Sequence, residues 1–199
     1  MNFLKKKSLI CLWVLLVLTV YLTGCDTVFP PGISPGIPDL TPEEITLLTE
    51  HSYGGNCVTR WPIGSIVEVY DDTNFSQLTY VFDEWNKVLE GDVVLVITNN
   101  SSGAEVRIVK SDLQGSATGH ATVWWNDYKI YKGLVEIDFE WETGNEPIDL
   151  YLHEFGHILG FHNHLEEGVM AQGSGLIYVD QKVKDYFSIL YSLPTGYCF

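Results

Sequence analysis

Apolar positions in Ser65–Tyr70 (SIVEVY) recur at every second residue, the period of a half-buried strand. Leu78, Val81, Phe82, Trp85 and Leu89 then fall on one helical stripe, which Asn74 is placed to cap with Gln77 three residues on, and Gly91 to stop. Val93–Thr98 is a continuous apolar run and reads as a strand; Ala104–Val109 (AEVRIV) alternates again. A flexible loop, Gly115–Gly119, leads into His120–Trp125, expected as an edge strand, and Gly133–Phe139 (GLVEIDF) is a further strand. Pro147 opens a second long helix, and Gly160 is its expected left-handed stop. After a loop from Phe161 to Tyr178, a last helix starts near Asp180. It turns Val183, Tyr186, Phe187, Leu190 and Tyr191 inward, with Pro194 beyond it. Strand, helix, four strands, helix, loop, helix is the order of an α+β domain, and residues 60–199 carry all of it.

The chain ahead of that domain changes character twice. Lys5, Lys6 and Lys7 precede an apolar run, Leu9–Leu22, that is short for a membrane span. The run ends in Leu22-Thr23-Gly24-Cys25, which resembles the lipobox of bacterial lipoproteins. That resemblance implies a signal peptide over residues 1–24, a lipid on Cys25, and an exported protein anchored to a membrane. The other reading of the run is an uncleaved anchor. Asp26–Leu40 (DTVFPPGISPGIPDL) is rich in proline and glycine and reads as an extended tether, residues 25–40. At Thr41-Pro42-Glu43-Glu44 a capping box opens a short helix that ends before Gly54-Gly55. Residues 41–59 therefore form a helical pre-segment, belonging to the domain or to a removable pro-segment.

Candidate chemistry is concentrated in His153–Met170. His153-Glu154-Phe155-Gly156-His157 is an H-E-x-x-H pattern on the second long helix. Four residues apart on a helix, His153 and His157 present two imidazoles to one ion, and Glu154 is placed to serve a water as general base. The expected cofactor is a single catalytic Zn2+.

With Gly160 three residues past His157 and Met170 ten beyond that, the segment resembles the metzincin metalloproteases, and most nearly the matrixin-like branch. The likeness extends over roughly residues 66–192. It implies a twisted, mixed five-stranded sheet with two long helices and a C-terminal helix. It implies that Met170 forms an apolar floor below the zinc, and that an extended protein or peptide substrate pairs with the strand His120–Trp125. The activity implied is a zinc metalloendopeptidase. His120 falls where that branch often places a ligand of a second zinc, but its downstream counterpart is Glu136 and the set is incomplete, so a polar edge residue is expected.

The departure from the family lies at the third ligand. Its position holds Asn163, flanked by His162 and His164. The spacing to Met170 makes His162 the expected third ligand; His164 is the alternative, since lengthening a loop costs little and shortening a tight one strains it. Asn163 and the pair Glu166 and Glu167 are weaker candidates, the latter lying off the helix. A displaced third histidine also admits a second function, a catalytically weak zinc-fold lipoprotein that binds a peptide or protein. Against it stands Glu154, a general base that a binding module does not need.

Charge and cysteines narrow the partners. Without residues 1–24, eight Lys and Arg face 26 Asp and Glu, a formal charge of −18, so nucleic acid is not an expected partner. A monomer is expected. With Cys11 in the signal and Cys25 lipidated, Cys57 and Cys198 remain, and in an exported protein they are expected to pair. The alternative makes Cys57 a latency thiolate on the zinc, although Gly55–Thr59 does not match the family's pro-segment motif.

Overall fold

A computed structural model describes residues 38–114, 118–138 and 147–199. The signal, Cys25 and all but the end of the tether lie outside these residues, as do most of the loop before His120 and the end of the strand expected at Phe139. The described residues form the helices α1 (Pro42–His51), α2 (Leu78–Leu89), α3 (Ile148–Leu159) and α4 (Gln181–Ser192). The strands are β1 (Ser65–Asp71), β2 (Val93–Ile97), β3 (Val106–Ser111), β4 (Gly119–Asn126) and β5 (Lys129–Asp138). They make one mixed sheet in the order β2-β1-β3-β5-β4, and the fold is α+β as expected. Four strands run parallel; β4 alone is antiparallel, at the edge. No described helix is long and apolar enough to cross a membrane.

The apolar stripe of α2 forms the core as its spacing requires: Leu78, Val81, Phe82, Trp85 and Leu89 are all buried. Burying side chains of this size is worth about 1.5–3 kcal/mol each. Trp85 is fully buried, and its indole N–H donates to Leu152 O at 3.2 Å, which ties α2 to α3. Trp61, ahead of β1, is tied to α3 in the same way, donating its indole N–H to Ile158 O at 2.9 Å. The inward residues of α4, namely Val183, Tyr186, Phe187, Leu190 and Tyr191, are buried too.

Two local expectations need correction. Asn74 does not cap α2; the helix starts after Gln77, without a side-chain cap. The carboxylate of Asp71, at the end of β1, takes the N–H groups of Thr73 and Phe75 at 2.8 Å each, and Asn74 is turned into left-handed backbone with φ 60°. The first part of β5, Lys129–Lys132, was not anticipated. It returns from β4 through Asp127 and Tyr128, both at positive φ, the geometry of a tight hairpin turn.

The segment 41–59 is built into the domain. Thr41 and Glu44 form the capping box. Leu48, Val58 and Thr59 are fully buried, and α1 packs on α4. Cys57 and Cys198 form a disulfide, which removes Cys57 as a thiolate on the metal.

Candidate metal centre

Helix α3 positions the first part of the site. Its inner face, from Leu152 to Leu159, is buried apart from His153, and His153 and His157 lie one turn apart at the open end of that face. Gly156, between them, faces Met170: a Cβ there would stand 2.2 Å from Met170 Sδ and 3.3 Å from Trp85 Cζ2. Met170 is fully buried and packs under this stretch of helix. Gly160 ends α3 with φ 126°, a conformation that suits glycine.

Both helical imidazoles are held by carbonyl oxygens. His153 Nδ1 lies 2.8 Å from Val169 O, and His157 Nδ1 lies 2.6 Å from Phe161 O. A carbonyl accepts and cannot donate, so the single proton of each neutral ring sits on Nδ1. That leaves two Nε2 lone pairs facing each other at 3.2 Å. Protons are not what relieves them. Burial first, and the neighbouring His153 second, hold His157 down at about 3; His153 and His164 are lowered by burial as well. At neutral pH the site is a cluster of lone pairs without its own positive charge, which is the donor set of a cation site.

The third member is His164. Donor atoms of His153, His157 and His164 all lie within 4.8 Å of one another, and the His164 ring centroid is 5.0 Å from that of His153 and 5.1 Å from that of His157. His162, favoured by its spacing to Met170, is not part of the cluster. Its N–H donates to His51 O at 2.7 Å, and its ring lies 4.7 Å from that of Tyr53. The spacing argument fails because the turn before the floor is tight. Leu165 N donates to Met170 O at 3.0 Å, so six residues rather than eight separate His164 from Met170. The extra residue is taken up between Gly160 and His164. Asn163, Glu166 and Glu167 are exposed and outside the cluster.

Glu154 is buried on the same helix, and burial raises its carboxyl to about 8. A Cβ on Gly119, the first residue of β4, would stand 2.7 Å from Glu154 Oε1, so the open edge strand begins directly against this carboxylate. Glu154, His153 and His164 line one cleft of about 440 Å3 together with Gly119, Asp149 and Ala171. A hollow of about 570 Å3 between α2 and α4 contains none of these residues. His120 Nδ1 is 3.5 Å from a Glu136 carboxylate oxygen across the β4–β5 pair, and neither belongs to a three-residue metal cluster among the described residues.

Residues outside the motif also matter. Tyr53 carries a phenol raised in pKa by burial and by the Glu154 charge, which places it beside the site. His51 is buried against Phe161, ring to ring at 4.6 Å. Only a helix of unknown destination was legible at these positions; what brings them to the site is contact with a loop more than a hundred residues away.

Fold and site together define an α+β protein with a buried carboxylate beside three convergent imidazoles. No family model matches the chain, and no curated protein matches it. Two solved structures of myroilysin are similar to it. One has a TM-score of 0.37 and 15% identity and covers 53% of this chain and 53% of that one, about half of each. The other has a TM-score of 0.34 and 13% identity and covers 82% and 79%. A likeness of this degree assigns no activity; the site's own residues must do so.

Proposed function

We propose that the protein is a zinc-dependent endopeptidase, exported and held at a membrane by lipid on Cys25. The observation that carries the metal reading is the pair of Nε2 lone pairs 3.2 Å apart, with both ring protons committed to carbonyls. Such a pair repels unless a cation lies between its members, and His164 supplies a third neutral nitrogen. Three imidazoles from a buried helix and its following loop suit zinc better than the hard, oxygen-seeking cations.

His153, His157 and His164 would hold the ion. When bound, zinc supplies Lewis acidity, lowering the pKa of water and polarising a peptide carbonyl. Glu154 does the proton work. It takes the proton of the attacking water and passes it to the leaving amine. The buried carboxylate beside the imidazoles is the group placed for both steps. The free side of β4 offers backbone groups to an extended substrate, running from Gly119 beside Glu154 to Asn126.

The binding-module alternative loses its motive. It rested on a displaced third histidine, and a third imidazole is at the site.

The test is cleavage of a broad peptide and protein set, with metal content measured alongside. Chelator-sensitive turnover that vanishes in Glu154→Ala while zinc is retained is expected. A zinc-loaded wild type that cleaves nothing ends the peptidase reading. Anchoring is tested separately by mass spectrometry of the cell-associated N-terminus; an unmodified Cys25 ends that part.

A further inference from the structure

His162 and His164 flank Asn163, and each is long enough to serve as a ligand. What separates them is a set of contacts between their loop and the arm formed by Glu50–Tyr53. The side-chain amide of Asn163 donates to Glu50 O. The N–H of His162 donates to His51 O at 2.7 Å, and Ser52 pairs with Phe161 as an antiparallel bridge. Beneath them the buried Tyr186 hydroxyl is shared between His51 O and Gly160 O, at 2.9 Å from each. The loop thus lies along the arm with the His162 ring against Tyr53, and the His164 ring is left for the site.

We infer that Asn163 is a positioning residue that selects His164 over His162 as the third metal ligand, by fastening the loop to the arm Glu50–Tyr53. This rests on the metal reading above. Of the fasteners, Asn163 is the one whose grip is a side chain on the loop itself, and it is exposed, so it can be changed without opening the core. The arm is then part of the metal centre. Its release would disable the site, the reverse of what removal of a pro-segment does.

The experiment uses the full chain and zinc itself, with affinity read by competition against a chromogenic chelator and the ligand set read from the visible spectrum of the cobalt-loaded protein. Asn163→Ala and Asn163→Asp both remove the donor. Each is expected to lower zinc affinity about 10–100-fold, the range typical of groups that orient a ligand, and to alter the cobalt bands, while the melting temperature of the metal-free protein stays within about 2 °C. In Asn163→Ala combined with His164→Ala, His162 is free to enter the site, so zinc affinity should exceed that of His164→Ala alone. Wild-type affinity in both Asn163 variants overturns the inference, and so does a double variant no tighter than His164→Ala. A wild type that takes up no zinc overturns the metal reading itself and is told apart by that result alone.

Discussion

Asp180 Oδ2 accepts the N–H of Val169 at 2.7 Å, and the carbonyl of the same Val169 receives Nδ1 of His153 at 2.8 Å. One residue, Val169, therefore links the N-cap of α4 to an imidazole of the site. Asp180 also caps the helix, accepting Val183 N–H through its other oxygen at 3.3 Å. Asp180→Ser keeps a capping oxygen and loses the reach to Val169. Zinc affinity should fall about tenfold or more, with only about 1 kcal/mol lost from stability. Chelator competition beside urea denaturation checks this; equal zinc affinity in the variant would show that the Val169 carbonyl needs no support.

Gly156 has a second measurable consequence. In an exposed helix, glycine to alanine gains up to about 1 kcal/mol. Here the new methyl meets Met170 Sδ at 2.2 Å, inside a packed core. Overpacking of this kind costs about 1–3 kcal/mol. Gly156→Ala should therefore destabilise the protein despite its better helix propensity. Combined with Met170→Ala, it should cost less than the sum of the two, since one change makes room for the other. A higher melting temperature in the single variant would mean that the floor yields.

What could be read in advance follows the range of the forces involved. The stripe of α2, the paired histidines and Glu154 depend on helical spacing, which is local. The Cys57–Cys198 pairing followed from the number of cysteines available. Asn74 does not cap α2 because Asp71 takes the N–H groups of Thr73 and Phe75 and the chain between them turns Asn74 into left-handed backbone, which no helical stripe announces. The turn at Asp127-Tyr128 lacks the glycine that usually announces a hairpin. The spacing to Met170 pointed to His162 instead of His164 because spacing carries no information on the loop's contacts with Glu50 and His51, across the whole domain.

Glu154 gives a dependence on pH in the metal-free protein. Its carboxyl is raised by burial from 4.5 to about 8, so the folded state holds that proton more tightly than the unfolded one. The resulting stability is full below pH 4.5 and is lost as pH rises through 8. His157 acts in the opposite sense. Held down at about 3, it contributes stability above 6.5 that is lost as pH falls. Glu154→Gln removes the first contribution and leaves the second. The variant should gain on wild type by about 2 kcal/mol between pH 5 and pH 8, measured by denaturation in chelator. Parallel stability curves would show that Glu154 finds a compensating partner.

The disulfide closes 141 residues and lies where the ends of the domain already pair: Val58 N–H to Tyr197 O and Gly196 N–H to Val58 O, each at 2.8 Å. Loops of that length give about 2–5 kcal/mol when a native bridge is lost. The backbone pairing keeps the ends together without the bridge, so the low end is expected. Cys57→Ser with Cys198→Ser should lower the melting temperature by about 5–10 °C. Zinc affinity should change less, because α1 remains packed on α4. A collapse of metal binding without loss of fold would show that the bridge, rather than the arm's packing, holds the loop.

The last prediction separates the two loop histidines. Loss of a ligand leaves two imidazoles, which do not hold an ion in an open tetrahedral site; loss of a residue that only orients the loop costs about 10–100-fold in affinity. His164→Ala removes one of the three clustered donors and should empty the site after mild dialysis. His162→Ala removes a ring that packs on Tyr53, while its backbone N–H still donates to His51 O, so most zinc should remain. The comparison needs only metal content in the dialysed proteins, with Glu154→Ala as a control that retains zinc. Empty His162→Ala beside full His164→Ala would return the third ligand to the spacing-derived position, eight residues before Met170. That would require the contacts with Glu50 and His51 to give way when the ion binds.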